Sequence, residues 1–167
     1  YFFIYSQKHP EKHKLLSYAD EKALFILSGS VPKGVPTSIY GDLTVLLKQA
    51  GAKVFLDADG DLFKEAIVKQ PDFVKPNEME LLQLFGEKKE VTEALLIHNA
   101  MRLKEQGIPT FAISRGSQGA MFYLEGKLYQ CPGLKIELKS SVGAGDALVA
   151  AFAYAWEQKL SVEESIR

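Results

Sequence analysis

From Ala23 onward, short apolar runs alternate with stretches whose apolar residues recur at helical spacing, and Gly, Pro, Asn or Ser marks most of the changes. That alternation is the order of a parallel sheet flanked by helices, because two parallel strands can be joined only by a crossover long enough to hold a helix. Residues 23–27 read as a buried strand ending in Ser28-Gly29-Ser30. Residues 37–50 set Tyr40, Leu43, Leu47 and Ala50 at helical spacing, and Gly51 follows where a helix end favours positive φ. Residues 53–56 form the next strand, 61–69 a second helix, and 73–75 a short strand after Pro71. Asn77 stands where an N-cap starts the helix that carries Glu80 to Phe85. A helix over 92–106 stops at Gly107, and a strand over 110–114 follows. Residues 119–124 and 127–131 read as a hairpin turned at Glu125-Gly126. Gly143 to Gly145 open an apolar helix reaching about Gln158, and Ser161 with Glu164 has capping-box spacing for one more.

The 167 residues, 47% hydrophobic and 25% charged, have the proportions of one ordinary globular domain. Such a length buries roughly 70% of the surface of its unfolded chain, so a core needs no disulfide or metal. Cys131 is the sole cysteine, and no charged-then-apolar leader precedes the domain, which predicts a cytoplasmic setting. Apolar runs at 23–27 and 147–156 are too short or interrupted to span a bilayer, so no membrane partner is expected. Twenty basic against 21 acidic residues leave a net charge of -1, which offers no footprint for nucleic acid. Any anion must be gripped locally. The chain begins at Tyr1 in an apolar Tyr-Phe-Phe-Ile-Tyr run and stops in a young helix, which reads as a piece of a larger enzyme.

Four strand exits carry the chemistry. Ser140 to Asp146 reads Ser-Ser-Val-Gly-Ala-Gly-Asp at the mouth of the apolar helix. Glycines there let backbone N–H groups approach an anion, and the helix N-terminus adds about half a positive charge. This cradle lacks the lysine of a P-loop, so backbone amides and a metal are expected to neutralise a phosphate. Asp146, in the first turn, can accept the proton of an attacking hydroxyl while amides of Ala144 to Asp146 stabilise developing charge. It can equally do no more than complement the dipole. In Lys75-Pro76-Asn77-Glu78-Met79-Glu80, an amide oxygen and a carboxylate three residues apart suit Mg²⁺ held largely through water, or a plain capping box. Ser114-Arg115-Gly116-Ser117-Gln118-Gly119 reads as a nucleotide loop or a simple turn. Ser28-Gly29-Ser30-Val31-Pro32-Lys33-Gly34 is the fourth exit. Open parallel sheets bind ligands at these ends, so the four converge on one crevice. His9, His13 and His98 have no partner cysteine, and His9 and His13, in a polar lysine-bearing stretch, read as solvated.

In this order the motifs resemble the PfkB family. Ser141 to Asp146 is similar to its second signature, Asn77 to Glu80 to its Asn-x-x-Glu element, and Ser114-x-Gly116-x-x-Gly119 to its nucleotide loop. The Ser28 to Gly34 segment resembles the branch of 1-phosphofructokinase, tagatose-6-phosphate kinase and the minor 6-phosphofructokinase. The resemblance implies a ribokinase-like three-layer α/β/α sandwich with a mostly parallel sheet. Residues 1–167 would be its C-terminal nucleotide-binding part, with 1–22 poorly matched. It implies transfer of the γ-phosphate of ATP to a hydroxyl of fructose 1-phosphate, fructose 6-phosphate or tagatose 6-phosphate. Asp146 would be the base, and Gly143, Ala144 and Gly145 the anion hole. Lys75, Asn77, Ser114, Gly116 and Gly119 would line the nucleotide, and Gly29 and Ser30 the sugar. Asn77 and Glu80 would hold Mg²⁺ mostly through water, and carbonyls of Ser140 and Val142 would offer a K⁺ site. The family's first glycine-rich signature, its sugar-binding aspartate and the β-sheet lid that often makes a homodimer are not recognisable, so the chain alone is expected to be nearly inactive. Within the family, a kinase of an unphosphorylated sugar or nucleoside is the alternative; outside catalysis, a nucleotide-binding module, against which Asp146 speaks.

Overall fold

The structure, a computed structural model, describes residues 14–88, 90–135 and 143–166. Six strands lie side by side in chain order: β1 (Leu24–Ser28), β2 (Lys53–Asp57), β3 (Phe73–Val74), β4 (Phe111–Ser114), β5 (Ala120–Leu124) and β6 (Lys127–Cys131). β1 to β4 run parallel, while β5 is antiparallel to β4 and forms a hairpin with β6. Between the parallel strands come α1 (Ile39–Gln49), α2 (Gly60–Ile67), α3 (Glu78–Leu84) and α4 (Glu93–Glu105); α5 (Ala144–Glu157) and α6 (Val162–Ser165) follow the hairpin.

The order of the strands dictates the layers. Crossovers between parallel neighbours are right-handed, and each new strand adds on the same side of the last, so α1 to α4 are driven onto one face. Leu43 and Leu47 of α1, Phe63 and Ile67 of α2, Leu81 of α3, and Leu96 and Leu103 of α4 accordingly pack in one cluster with Val54, Leu56, Val74, Phe111 and Ile113. Alternate strand residues point the other way. Phe55, Phe73, Ala112, Phe122 and Leu124 form a second cluster that α5 covers with Val149 and Phe152. The period of two along β2, β4 and β5 thus divides the core between two helical layers. Phe152 stacks on Phe73 at 5.0 Å and on Phe122 at 5.3 Å between ring centroids, which pins α5 across the middle of the sheet.

Elements end where the sequence turns the chain. α2 stops at Ile67, two residues short of the expected 69, because Gln70 takes φ 55 ahead of Pro71. Similarly, β3 ends at Val74 rather than Lys75, since Pro76 has no N–H to extend a ladder. Pairing resumes at an isolated parallel bridge between Asn77 and Ser114, with the Ser114 N–H donating to Pro76 O at 3.1 Å. Among the described residues, no helix is long and apolar enough to cross a membrane.

Candidate active site

Parallelism brings the C-terminal ends of β1, β2, β3 and β4 to one edge of the sheet. Ser28 is paired with Asp57, and Lys75 donates its N–H to Leu56 O at 3.3 Å, so the exits follow one another across the edge. The loop after β1 is anchored twice. Gly29 N–H donates to Asp57 O at 3.1 Å, and the Tyr40 hydroxyl donates to Ser28 O at 2.7 Å and to Gly29 O at 3.2 Å. Burial, and then the charge of Asp57, push the Tyr40 phenol above its usual range, which keeps it a donor. Gly29 and Ser30 themselves are exposed at this rim.

At the β3 exit Asn77 caps α3. Its Oδ1 accepts the Glu80 N–H at 2.9 Å, and Glu80 Oε2 accepts the Asn77 N–H at 2.8 Å. The capping box is therefore real. It occupies Glu80 Oε2 and leaves that carboxylate a second oxygen. Burial pushes the Glu80 carboxyl above the ordinary range; the Asn77 N–H and the charge of Lys75 oppose this, while Asp57 and Asp59 add to it. Beside it, Glu78 Oε1 accepts from Arg115 Nε at 2.9 Å, and Arg115 Nη2 donates to Gln118 Oε1 at 2.8 Å. Arg115 is thus a strut between α3 and the loop after β4, not a free cation aimed at a ligand. Gly119 closes that loop at φ 94, where an added Cβ would lie 2.0 Å from Cys131 O. Only glycine fits so close an approach. Gly116 is exposed at φ 55, and the Ser114 backbone forms the bridge to Asn77.

The mouth of α5 meets this edge at Lys75. Gly143 caps the helix in the left-handed region, and Asp146 lies exposed in its first turn. A Cβ built on Gly145 would stand 3.2 Å from Lys75 Nζ, so the ammonium lies close against the helix end at a position that carries no side chain. Lys75 is buried, 7% exposed, and its Nζ lies 3.2 Å from Asp57 Oδ1. The local motif holds no lysine, yet the structure sets one against it from the exit of β3. Ser140 and Val142, the expected K⁺ carbonyls, lie outside the described residues.

Sequence reasoning missed Asp57 and Tyr40 and left Arg115 without a partner. The one available signal for Asp57 was its place at the end of an apolar strand, the position that supplies ligands in open parallel sheets.

Residues 4–167 match the family described as pfkB family carbohydrate kinase. The chain belongs to this family. Among relatives of the PfkB chain, the D-tagatose-1-phosphate kinase of Bacillus licheniformis is 32% identical over 155 residues, 93% of this chain and 51% of that protein. The 1-phosphofructokinase of Bacillus subtilis is 32% identical over 147 residues, 88% of this chain and 48% of that protein. Among solved structures, phosphofructokinase-2 of Escherichia coli in complex with fructose-6-phosphate superposes with a TM-score of 0.83 at 23% identity, covering 99% of this chain and 56% of that one. That likeness is one of fold: the ribokinase-like α/β/α arrangement expected from the motifs is present. The two relatives bear the branch expected from the Ser28 to Gly34 segment. This PfkB chain spans about half the length of the relatives it matches.

Proposed function

We propose that the intact protein transfers the γ-phosphate of ATP to a hydroxyl of a ketohexose phosphate. The observation that carries this reading is the meeting of the α5 mouth with the buried Lys75 ammonium at the edge where four parallel strands end. Backbone amides of Gly143, Ala144 and Gly145 and the ammonium together make a local positive site in a chain whose net charge is -1. Asp146, exposed beside it, takes the proton as the acceptor oxygen bonds to the γ-phosphorus and the bond to ADP breaks. Lys75, Asn77, Ser114, Gly116 and Gly119 face the nucleotide, and Gly29 and Ser30 face the sugar.

Mg²⁺ fits this edge as a water-held ion. No three His, Cys, Asp or Glu side chains cluster as a metal cage among the described residues. Mg²⁺ asks for no such cage, because it keeps several waters and binds one or two carboxylates plus substrate phosphates. Glu80, through the oxygen its cap leaves over, and Asn77 are the residues that would hold it. When bound with ATP it would neutralise charge on the transferring phosphoryl group.

The names of the relatives, D-tagatose-1-phosphate kinase, 1-phosphofructokinase and tagatose-6-phosphate kinase, support tagatose 1-phosphate, fructose 1-phosphate and tagatose 6-phosphate as candidate acceptors, and the motif resemblance adds fructose 6-phosphate. A kinase screen of the intact protein against these four, with ribose and adenosine as unphosphorylated controls, tests the class. Asp146→Asn is expected to lower turnover roughly 10²- to 10⁴-fold while ATP still binds by calorimetry. Unchanged turnover removes Asp146 from the mechanism. The 167 residues alone, about half of a relative, are expected to show little phosphoryl transfer; normal turnover by this piece would refute that.

A further inference from the structure

Asp57 is the polar end of β2, and the sheet order sets β2 between the two exits that bear Gly29 and Lys75. Its carboxylate is the partner that the structure sets beside the Lys75 ammonium, at 3.2 Å, with side chains 16% and 8% exposed. Two costs weigh on that ammonium. It has left water, and it stands against the N-terminal end of α5, whose partial positive charge repels a cation. Glu80 also feels the charge of Lys75, while Gly145 contributes only the absence of a Cβ. A half-buried carboxylate thus keeps two positive features together, an arrangement that is least costly when an anion lies between them.

We infer that Asp57 is a positioning residue that holds the Lys75 ammonium at the mouth of α5, ready for a phosphate of the nucleotide. This rests on the kinase reading above. An ammonium has three donors, and one contact to Asp57 leaves the others for the anion. Asp57 touches no substrate and moves no proton. Its effect reaches the reaction through where Nζ stands, so it falls on the nucleotide side and leaves acceptor affinity alone.

The test is a double-mutant cycle in the intact protein, with ATP varied at saturating sugar phosphate and melting temperatures recorded alongside. Asp57→Asn is expected to lower kcat/KM for ATP about 30-fold, with KM for the sugar phosphate unchanged within about twofold. In a Lys75→Met background the same change is expected to cost less than about threefold, because the ammonium it serves has gone. Should Asp57→Asn not fold, Asp57→Glu, whose longer arm shifts Nζ, is put through the same cycle. No loss in kcat/KM for ATP overturns the inference, and so does an equal loss with and without Lys75, which would mark Asp57 as acting independently. A wild-type protein that phosphorylates none of the acceptors overturns the kinase reading and the inference together, whereas an active wild type with additive variants overturns the inference alone.

Discussion

Tyr40 shows how one side chain can strengthen the hold on an exposed loop that the sheet anchors through a backbone bond to β2. Its ring is buried in the core, while its hydroxyl donates to the carbonyls of Ser28 and Gly29. Tyr40→Phe is expected to cost about 1 kcal/mol, the net value of an ordinary hydrogen bond, read as a lower urea midpoint. The pH dependence has a definite sign. Burial and Asp57 raise the phenol above 10.0, so its contribution is fully present below that value and is lost as pH rises through the raised one. From about pH 10 upward, wild type should therefore lose stability more steeply than Tyr40→Phe. Parallel profiles would disprove the assignment. At this scale the sequence was only partly readable. Asn77 and Glu80 were visible as a pair because both ends of a capping box lie within four residues of each other. Asp57 and Lys75 were not, since their meeting depends on two strands becoming neighbours.

Elements here are joined end to end by side chains as well as by ladders. The Glu78–Arg115 contact, with side chains 22% and 12% exposed, ties the first turn of α3 to the loop that leaves β4. A cycle of Glu78→Gln and Arg115→Met is expected to give a coupling of about 1 kcal/mol in stability, because the pair is sheltered yet within reach of water. KM for ATP should rise in both single variants if the loop lines the nucleotide; additive stability effects would show that the strut carries no load. The elements themselves were mostly legible beforehand. Helical spacing with a glycine just past the end marks α1 and α4, the Asn77 cap marks α3, and Thr92 caps α4 by accepting the Leu95 N–H. The boundaries of α2 and β3 were not, because there Gln70 and Pro76 act through backbone conformation and a missing donor rather than through apolar spacing.

At the scale of the whole molecule, one aromatic side chain, Phe152, pins the helix whose mouth meets Lys75. α5 crosses the second face of the sheet with Phe152 stacked between Phe73 and Phe122, and the same helix delivers Gly145 to Lys75. Phe152→Ala should cost roughly 3–5 kcal/mol, the range for a buried aromatic that leaves a cavity, and chemical denaturation of the intact protein measures it. A loss below about 1 kcal/mol would mean that α5 is held by something else. By itself the sequence determined the kinds and order of the elements, their caps, and the rule that polar strand exits gather at one edge. These follow from neighbours a few residues apart and from the handedness of the chain. The tertiary structure alone decided which exit touches which: that β2 lies between β1 and β3, that Asp57 therefore faces Lys75, and that a lysine 70 residues before Gly145 supplies the cation at its helix end. A side-chain charge acts over a few ångströms in space, and distance along the chain carries no information about that until the sheet has formed.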